Sequence, residues 1–207
     1  MLEQKLKVSV KATLEGCTDL KPVGDDFNWM FKVKCSSCRE EHPNWMGIDA
    51  TEQREISGSR GEANLVWRCQ MCKREHTISF DDSFSRAKAA YTLEDSDDQK
   101  FAPLAVLECR GCEITAFDPK VRHHHSPPAF SPPPLSLLLR AQPSGSRTGS
   151  SKAAAMLQGI WSAKGAESNT RFDEIELSLD ELEWNDYDEK AGAPVSIMDF
   201  ESKIDRA

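Results

Sequence analysis

Two copies of one short motif hold the residues best suited to chemistry in this chain. The first is Cys35-Ser36-Ser37-Cys38-Arg39-Glu40-Glu41-His42, and the second is Cys69-Gln70-Met71-Cys72-Lys73-Arg74-Glu75-His76. Both read C-x-x-C-basic-x-E-H. Two residues between the cysteines make a tight turn that aims both sulfurs at one point, with backbone N–H groups placed to donate to the thiolates. Two such turns supply the four sulfurs that Zn²⁺ accepts tetrahedrally, at about 2.3 Å each. Cys35, Cys38, Cys69 and Cys72 are therefore the expected ligands of one Zn²⁺. The stretch between the pairs is longer than in a compact zinc ribbon, and a hairpin or small sheet must bridge it. Four thiolates around Zn²⁺ carry a net charge of −2. Lys32, Lys34, Arg39, Arg68, Lys73 and Arg74 lie beside the motifs, where they offset that charge and favour thiolate over thiol.

His42 and His76 are rival ligands. Four sulfurs already fill the shell, so each histidine is expected to cap its turn or face solvent. A filled shell also bears on function. Catalytic zinc keeps a position open for water, and four cysteines leave none, so the metal is expected to be structural. Structural zinc contributes on the order of 10–16 kcal/mol of apparent binding free energy. Whole domains are stable by about 5–15 kcal/mol. Loss of the metal should therefore unfold most of the N-terminal half.

A third pair, Cys109-Arg110-Gly111-Cys112, has two functional readings, a redox dithiol and a transient metal-transfer site. A redox pair usually gains its low pKa from a helix N-terminus. This one follows a strand and is flanked by Glu108 and Glu113, which favours a packing role. Cys17 has no partner in sequence. The remaining polar clusters are weaker signals. His123-His124-His125 is the composition of a weak metal binder or an incidental run. Trp29, Trp67 and Trp161 lie in strand patterns, and Trp45 is placed to cover the zinc site. The acidic run from Glu181 to Glu189 is either a partner-binding face or a solvated one.

The elements that must hold the sulfurs read as strands. Leu6, Val8 and Val10 alternate with polar neighbours, and Trp29, Phe31 and Val33 share one face of a second strand. Further strand patterns run over 63–68, 76–80 and 101–119, then over 160–163 and 172–177. Residues 81–100 carry two acidic clusters and read as a connector. Residues 120–158 differ in kind, with six of the eleven prolines and many Ser and Ala. They bury too little apolar surface to offset chain entropy, so disorder is expected there. The expected organisation is an N-terminal β-rich zinc half over 1–90, a C-terminal β-rich half over 91–119 plus 159–207, and the insertion at 120–158.

Charge and composition exclude several function classes. The chain of 207 residues has a formal charge of −8 and a mean hydropathy of −0.56. The five basic residues of 120–158 mask an acidic remainder with 21 Lys+Arg against 34 Asp+Glu, a net of −13. Such a surface repels phosphates and argues against nucleic acid and anionic membranes. No apolar run approaches the roughly 18 residues of a spanning helix, and the first residues lack a secretory h-region. Cysteines in C-x-x-C pairs without an export signal point to an intracellular metal protein, expected in the cytoplasm with the nucleus also open to it. No Ser-His-Asp set, phosphate loop or open metal site is visible, so the chain is not expected to be an enzyme.

Several segments together resemble a known family, the eukaryotic CXXC motif-containing zinc-binding proteins. They are Phe31-Lys32-Val33-Lys34-Cys35-Ser36-Ser37-Cys38, Trp67-Arg68-Cys69-Gln70-Met71-Cys72-Lys73-Arg74-Glu75, Leu107-Glu108-Cys109-Arg110-Gly111, Phe172-Asp173-Glu174-Ile175 and Glu183-Trp184-Asn185-Asp186-Tyr187-Asp188-Glu189-Lys190. The resemblance implies a mainly β protein of two similar halves related by pseudo-twofold symmetry, with one Zn²⁺ in the first half on Cys35, Cys38, Cys69 and Cys72. It implies no enzymatic activity and no particular partner. Two features depart from the family. Cys112 is not part of its zinc motif, and 120–158 has no counterpart in it. Val121 is encoded by a codon beginning GT, and Gln158 can be encoded by CAG, the two ends of a spliceosomal intron. Residues 121–158 therefore read as a retained intron or a gene-model error, which sequencing the transcript decides. The expected role is a noncatalytic module that binds other proteins, with thiol-redox or metal-transfer work by Cys109 and Cys112 as the alternative.

Overall fold

A computed structural model describes residues 3–119, 159–177 and 182–207. The chain is mainly β. Its strands in order are β1 (Glu3–Glu15), β2 (Cys17–Pro22), β3 (Asn28–Cys35), β4 (Met46–Asp49), β5 (Arg54–Glu55), β6 (Glu62–Ala63), β7 (Leu65–Arg68) and β8 (Glu75–Phe80). They continue as β9 (Ala102–Arg110), β10 (Cys112–Asp118), β11 (Trp161–Gly165), β12 (Arg171–Ile175), β13 (Trp184–Asp188) and β14 (Ala193–Arg206). The expectations of disorder and of translated noncoding sequence at 120–158, and the His123-His124-His125 run, lie outside the described residues. Among the described residues no helix is long and apolar enough to cross a membrane.

The strands form a six-stranded antiparallel sheet in the order β13-β14-β1-β9-β8-β7. Two three-stranded sheets, β10-β3-β4 and β12-β11-β2, pack with it, and β5 pairs with β6. Pairing runs across long sequence distances. The N-terminal strands β1 and β2, joined through Gly16 but placed in different sheets, pair with strands from the far end of the chain, β14 and β11. The middle strands β9 and β10, joined through Gly111 and also in different sheets, pair with β8 and β3. Gly16 at φ +65 and Gly111 at φ +75 make the bends that carry the chain from one sheet to the next, in the left-handed region that only glycine enters without strain.

Period-two alternation does much of the positioning. In β3 every second residue is buried, so Trp29, Phe31, Val33 and Cys35 share the inner face. Leu65 and Trp67 point inward from β7, and the same parity carries Cys69 inward just past its end. The core these faces build is rich in aromatic rings. Trp29 stacks on Phe31 and tilts against Phe80 and Phe117, while Phe27 bridges Trp29 to Trp161. Truncating a ring as buried as Phe31 to alanine would cost about 3–5 kcal/mol.

The connector over 81–100 is more ordered than its acidity suggests. It holds a short helix, α1 (Leu93–Asp97), closed by a reciprocal cap between Thr92 and Asp95. Ser96 accepts a hydrogen bond from the Leu14 amide, and the Tyr91 hydroxyl donates to the Ala12 carbonyl. Both bonds tie the connector to β1.

Candidate metal centre

The two C-x-x-C motifs fold as equivalent knuckles at the ends of β3 and β7. In the first, the Cys35 amide donates to the Glu40 carbonyl (2.8 Å) and the Arg39 amide to the Cys35 carbonyl (2.9 Å). In the second, Cys69 donates to Arg74 (2.9 Å) and Lys73 to Cys69 (3.0 Å). The basic residue after each second cysteine takes positive φ, +65° at Arg39 and +58° at Lys73. That left-handed residue turns the chain back so that the second cysteine faces the first.

The four sulfurs converge. All lie within 4.8 Å of one another, with Cys35 Sγ 3.6 Å from Cys72 Sγ and Cys38 Sγ 3.5 Å from Cys69 Sγ. A tetrahedron with 2.3 Å metal–sulfur bonds has an edge of roughly 3.8 Å, so the cluster fits a four-coordinate zinc. Inward parity buries Cys35 and Cys69. Cys72 is half-buried and Cys38 exposed, which puts one corner of the cluster at the surface.

Backbone amides aim at the sulfurs. Ser37 N lies 3.4 Å from Cys35 Sγ. Burial pushes the Cys35 thiol up, but the Cys38 and Ser37 amides and the Cys38 and Cys72 thiols outweigh it and hold Cys35 below the ordinary cysteine range. The Cys72 amide leads the groups that bring Cys69 down to about 7. At Cys38 the Glu40 amide pulls down, yet burial and the three neighbouring thiols push it up to about 12. Four thiols this close cannot all ionise by themselves. A cation between them removes the conflict.

The charged neighbours split into several roles. Arg74 Nη1 donates to Ser37 Oγ (2.8 Å), a link from one knuckle to the other. Lys32 Nζ donates to the carbonyls of His42 and Pro43 and stands over the Trp45 ring, fixing the chain after the first knuckle. Asn64 fixes the approach to the second knuckle. Its Oδ1 accepts from the Phe80 amide and its Nδ2 donates to the carbonyls of Ala50 and Glu52.

The histidines part company. His42 is half-buried and lies against Asn44, as a capping residue would. His76 neither caps a turn nor meets solvent. It is buried on β8 with Nε2 3.2 Å from Cys35 Sγ, and Trp67 tilts over its ring. Burial, and then the Arg74 charge, lowers its pKa, so the ring is neutral. The repeated E-H spacing marked both histidines without distinguishing them, because only the pairing of β7 with β8 turns His76 inward.

Cys109 and Cys112 flank the Gly111 turn and are fully buried. Cys112 is the register partner of Cys35, and the Ser36 amide donates to the Gly111 carbonyl (3.0 Å). The pair is thus a wall beside the metal centre. A hydrogen bond from Cys112, followed by burial, drives the Cys109 thiol far above the usual range. Cys17 opens β2 and is fully buried, with its sulfur against the Ser196 carbonyl. All seven cysteines are free thiols.

Known proteins match this arrangement over most of the chain. A family model described as CXXC motif containing zinc binding protein, eukaryotic, matches residues 7–126 and 153–205, with its break inside the Pro/Ser-rich segment. A UPF0587 protein of Schizosaccharomyces pombe is 35% identical over 204 residues, covering 98% of this chain and 99% of the relative. The CXXC motif containing zinc binding protein of Mus musculus is 33% identical over 195 residues, or 94% of each chain. A crystal structure titled C1orf123 superposes with a TM-score of 0.71 at 30% identity, covering 98% of this chain and 99% of that one. Four converging cysteines and these matches lead to one assignment: the chain belongs to the eukaryotic CXXC motif containing zinc binding protein family.

Proposed function

We propose that Cys35, Cys38, Cys69 and Cys72 hold one structural Zn²⁺, and that the chain acts inside the cell as a noncatalytic module that binds other proteins. The observation that carries the reading is the convergence of exactly two knuckles' worth of sulfur, all within 4.8 Å. Four thiolates complete a tetrahedral shell and leave no place for the water a catalytic zinc activates. Lewis-acid support from the metal would let all four thiols stay ionised. The chain's own part is to aim amides at the sulfurs, keep His76 against Cys35 and wall one side with Cys112. Because the ligands come from β3 and from the turn between β7 and β8, metal binding couples to the folding of that part of the sheet.

The interaction role is supported by the surface next to the centre. Met71 stands 68% exposed at the tip of the second knuckle. It borders a small cavity of about 120 Å³ lined by His42, Pro43, Trp67 and Gln70. An exposed, flexible thioether beside an aromatic wall suits a protein partner. The acidic charge disfavours nucleic acid, and the cytoplasm is the expected location. Thiol-redox or metal-transfer work by Cys109 and Cys112 is the rival reading. Their complete burial and the raised Cys109 pKa weigh against it.

Metal analysis of the purified chain tests the first half of the proposal. One zinc per chain is expected, lost on Cys69→Ser together with the fold around β7 and β8. A chain that stays folded and metal-free would falsify it. Affinity capture with and without chelator tests the second half. Partners retained equally by zinc-loaded and stripped chain would sink the idea that the centre shapes the binding surface.

A further inference from the structure

The knuckle occurs twice more, without cysteines. At the end of β11 the Gly165 amide donates to the Thr170 carbonyl (2.8 Å) and the Asn169 amide to the Gly165 carbonyl (3.1 Å), with Asn169 at φ +54°. At the end of β13 the Gly192 amide donates to the Asp188 carbonyl (2.7 Å), with Gly192 at φ +65° and Asp188 facing Ala193 in register. These are the bonds and the left-handed residue of the two cysteine knuckles. Counted along each turn, Gly165 and Ser168 stand where Cys35 and Cys38 stand. Asp188 and Ala191 stand where Cys69 and Cys72 stand.

The strands agree. The first cysteine knuckle ends the central strand of β10-β3-β4, and the first cysteine-free knuckle ends the central strand of β2-β11-β12. The second of each kind joins the last two strands of the six-stranded sheet, β7 to β8 at one end and β13 to β14 at the other.

The side chains converge as well. Asp188 is buried, and Ser168 Oγ donates to its Oδ2 in a short hydrogen bond. Its Oδ1 accepts from Thr170 Oγ1 (2.9 Å) and from the amides of Lys190 (3.0 Å) and Ala191 (3.2 Å). Those two amides correspond to the Met71 and Cys72 amides that serve Cys69. A Cβ added at Gly165 would collide with Asp188 Oδ2 and lie 2.6 Å from Ser168 Oγ. Position 165 therefore points at the centre of the cluster, and only the absence of a side chain there leaves room for the carboxylate. Both carboxylate oxygens are occupied by donors of the chain itself.

We propose that this cluster is a metal-free counterpart of the cysteine site, in which the Asp188 carboxylate fastens two knuckles that a metal ion would otherwise join. The place it fills is a latent zinc site. It needs only the four sulfurs restored, because backbone, parity and amide donors are already set. The consequence for the molecule is a division of labour. One end of the sheet depends on zinc and thiol state, and the other is held by a network that neither chelators nor oxidants touch. This inference rests in part on the zinc reading of the first site, and the test separates the two.

The full chain carrying Gly165→Cys, Ser168→Cys, Asp188→Cys and Ala191→Cys is titrated with Co²⁺, following the thiolate-to-cobalt and d–d absorption. Two Co²⁺ per chain are expected against one for the unmodified chain. If the first site were misread, the unmodified chain would take none and the variant one. A second experiment needs no metal. Gly165→Ala should lower the melting temperature by about 5–10 °C, and most of that loss should vanish in an Asp188→Ala background, where the collision with the carboxylate is gone and the Ser168 hydroxyl, no longer held by it, can rotate away. A quadruple variant that binds no more Co²⁺ than the unmodified chain, or a Gly165→Ala loss undiminished by Asp188→Ala, overturns the proposal.

Discussion

The Nε2 atom of His76 lies 3.2 Å from the Sγ of Cys35, buried beneath Trp67. Nδ1 of the same ring is buried with no hydrogen-bond partner among the described residues. A bare acceptor in that position costs less than a bare donor facing nothing, and a thiolate wants a donor. The proton therefore sits on Nε2 and is shared with the sulfur. Outer partners of this kind are worth about 10–100-fold in metal affinity. His76→Ala should lose zinc to a chelator faster by about that factor. Nitrogen shifts of the ring should report the Nε2–H tautomer, and an Nδ1–H tautomer would refute the assignment.

Cys109 and Cys112 should resist alkylation while the centre is loaded. Both are buried, and Cys112 is held by its pairing with Cys35. Chelation should release the two together as that pairing opens. Rapid labelling of either thiol in the metal-loaded chain would instead revive the redox reading.

Arg39 and Lys73 hold left-handed backbone at φ +65° and +58°. A side chain there costs about 1 kcal/mol that glycine avoids, less what glycine loses through its freer unfolded chain. Arg39→Gly and Lys73→Gly should each raise the denaturation midpoint slightly, whereas Ile at either position should lower it.

The two ends of the Pro/Ser-rich segment meet. Trp161 Nε1 donates to the Pro119 carbonyl at 2.9 Å, across the whole of 120–158. Deleting 121–158 leaves Lys120, Gly159 and Ile160 to close the gap, and three residues reach about 10 Å. The shorter closure also costs less entropy. The deleted chain should keep its far-UV spectrum and melt at or above the temperature of the full chain. A lower melting temperature would mean that 121–158 contributes to the fold.

Acid should weaken the Asp188 network. The Ser168 hydroxyl, with the Ala191 amide, the Thr170 hydroxyl and the Lys190 amide, holds the Asp188 carboxyl below the ordinary range against the effect of burial. A lowered folded-state pKa means stability that is full above the unfolded value, about 3.9, and is lost as pH falls through the folded value. Comparing the chain with Asp188→Asn between pH 6 and 2, the difference in melting temperature should be constant above about pH 4 and shrink below it. A difference independent of pH would show that the carboxylate charge is not what holds the turns.

The metal ligands and most strands were legible in the sequence because their signals are local. A C-x-x-C turn is closed by hydrogen bonds within six residues, and the alternation of Trp29, Phe31 and Val33 also points Cys35 inward. The sequence of 81–100 reads only as a connector because its anchors, Leu14 and Ala12, lie far back along the chain. The acidic run ending at Glu189 read as a solvated or partner-binding face. Its one buried carboxylate among the described residues, Asp188, is set by Ser168 and Thr170, which no nearby pattern links to it. Trp45, placed over the zinc by its position after the first knuckle, lies under Lys32, while Trp67 covers His76. Which strand joins which sheet was likewise decided only in three dimensions. Residue type and period determine what a segment can do and which way its side chains point. Partnership between distant segments depends on register and on the closing of long loops, and those are settled only when the whole core packs at once.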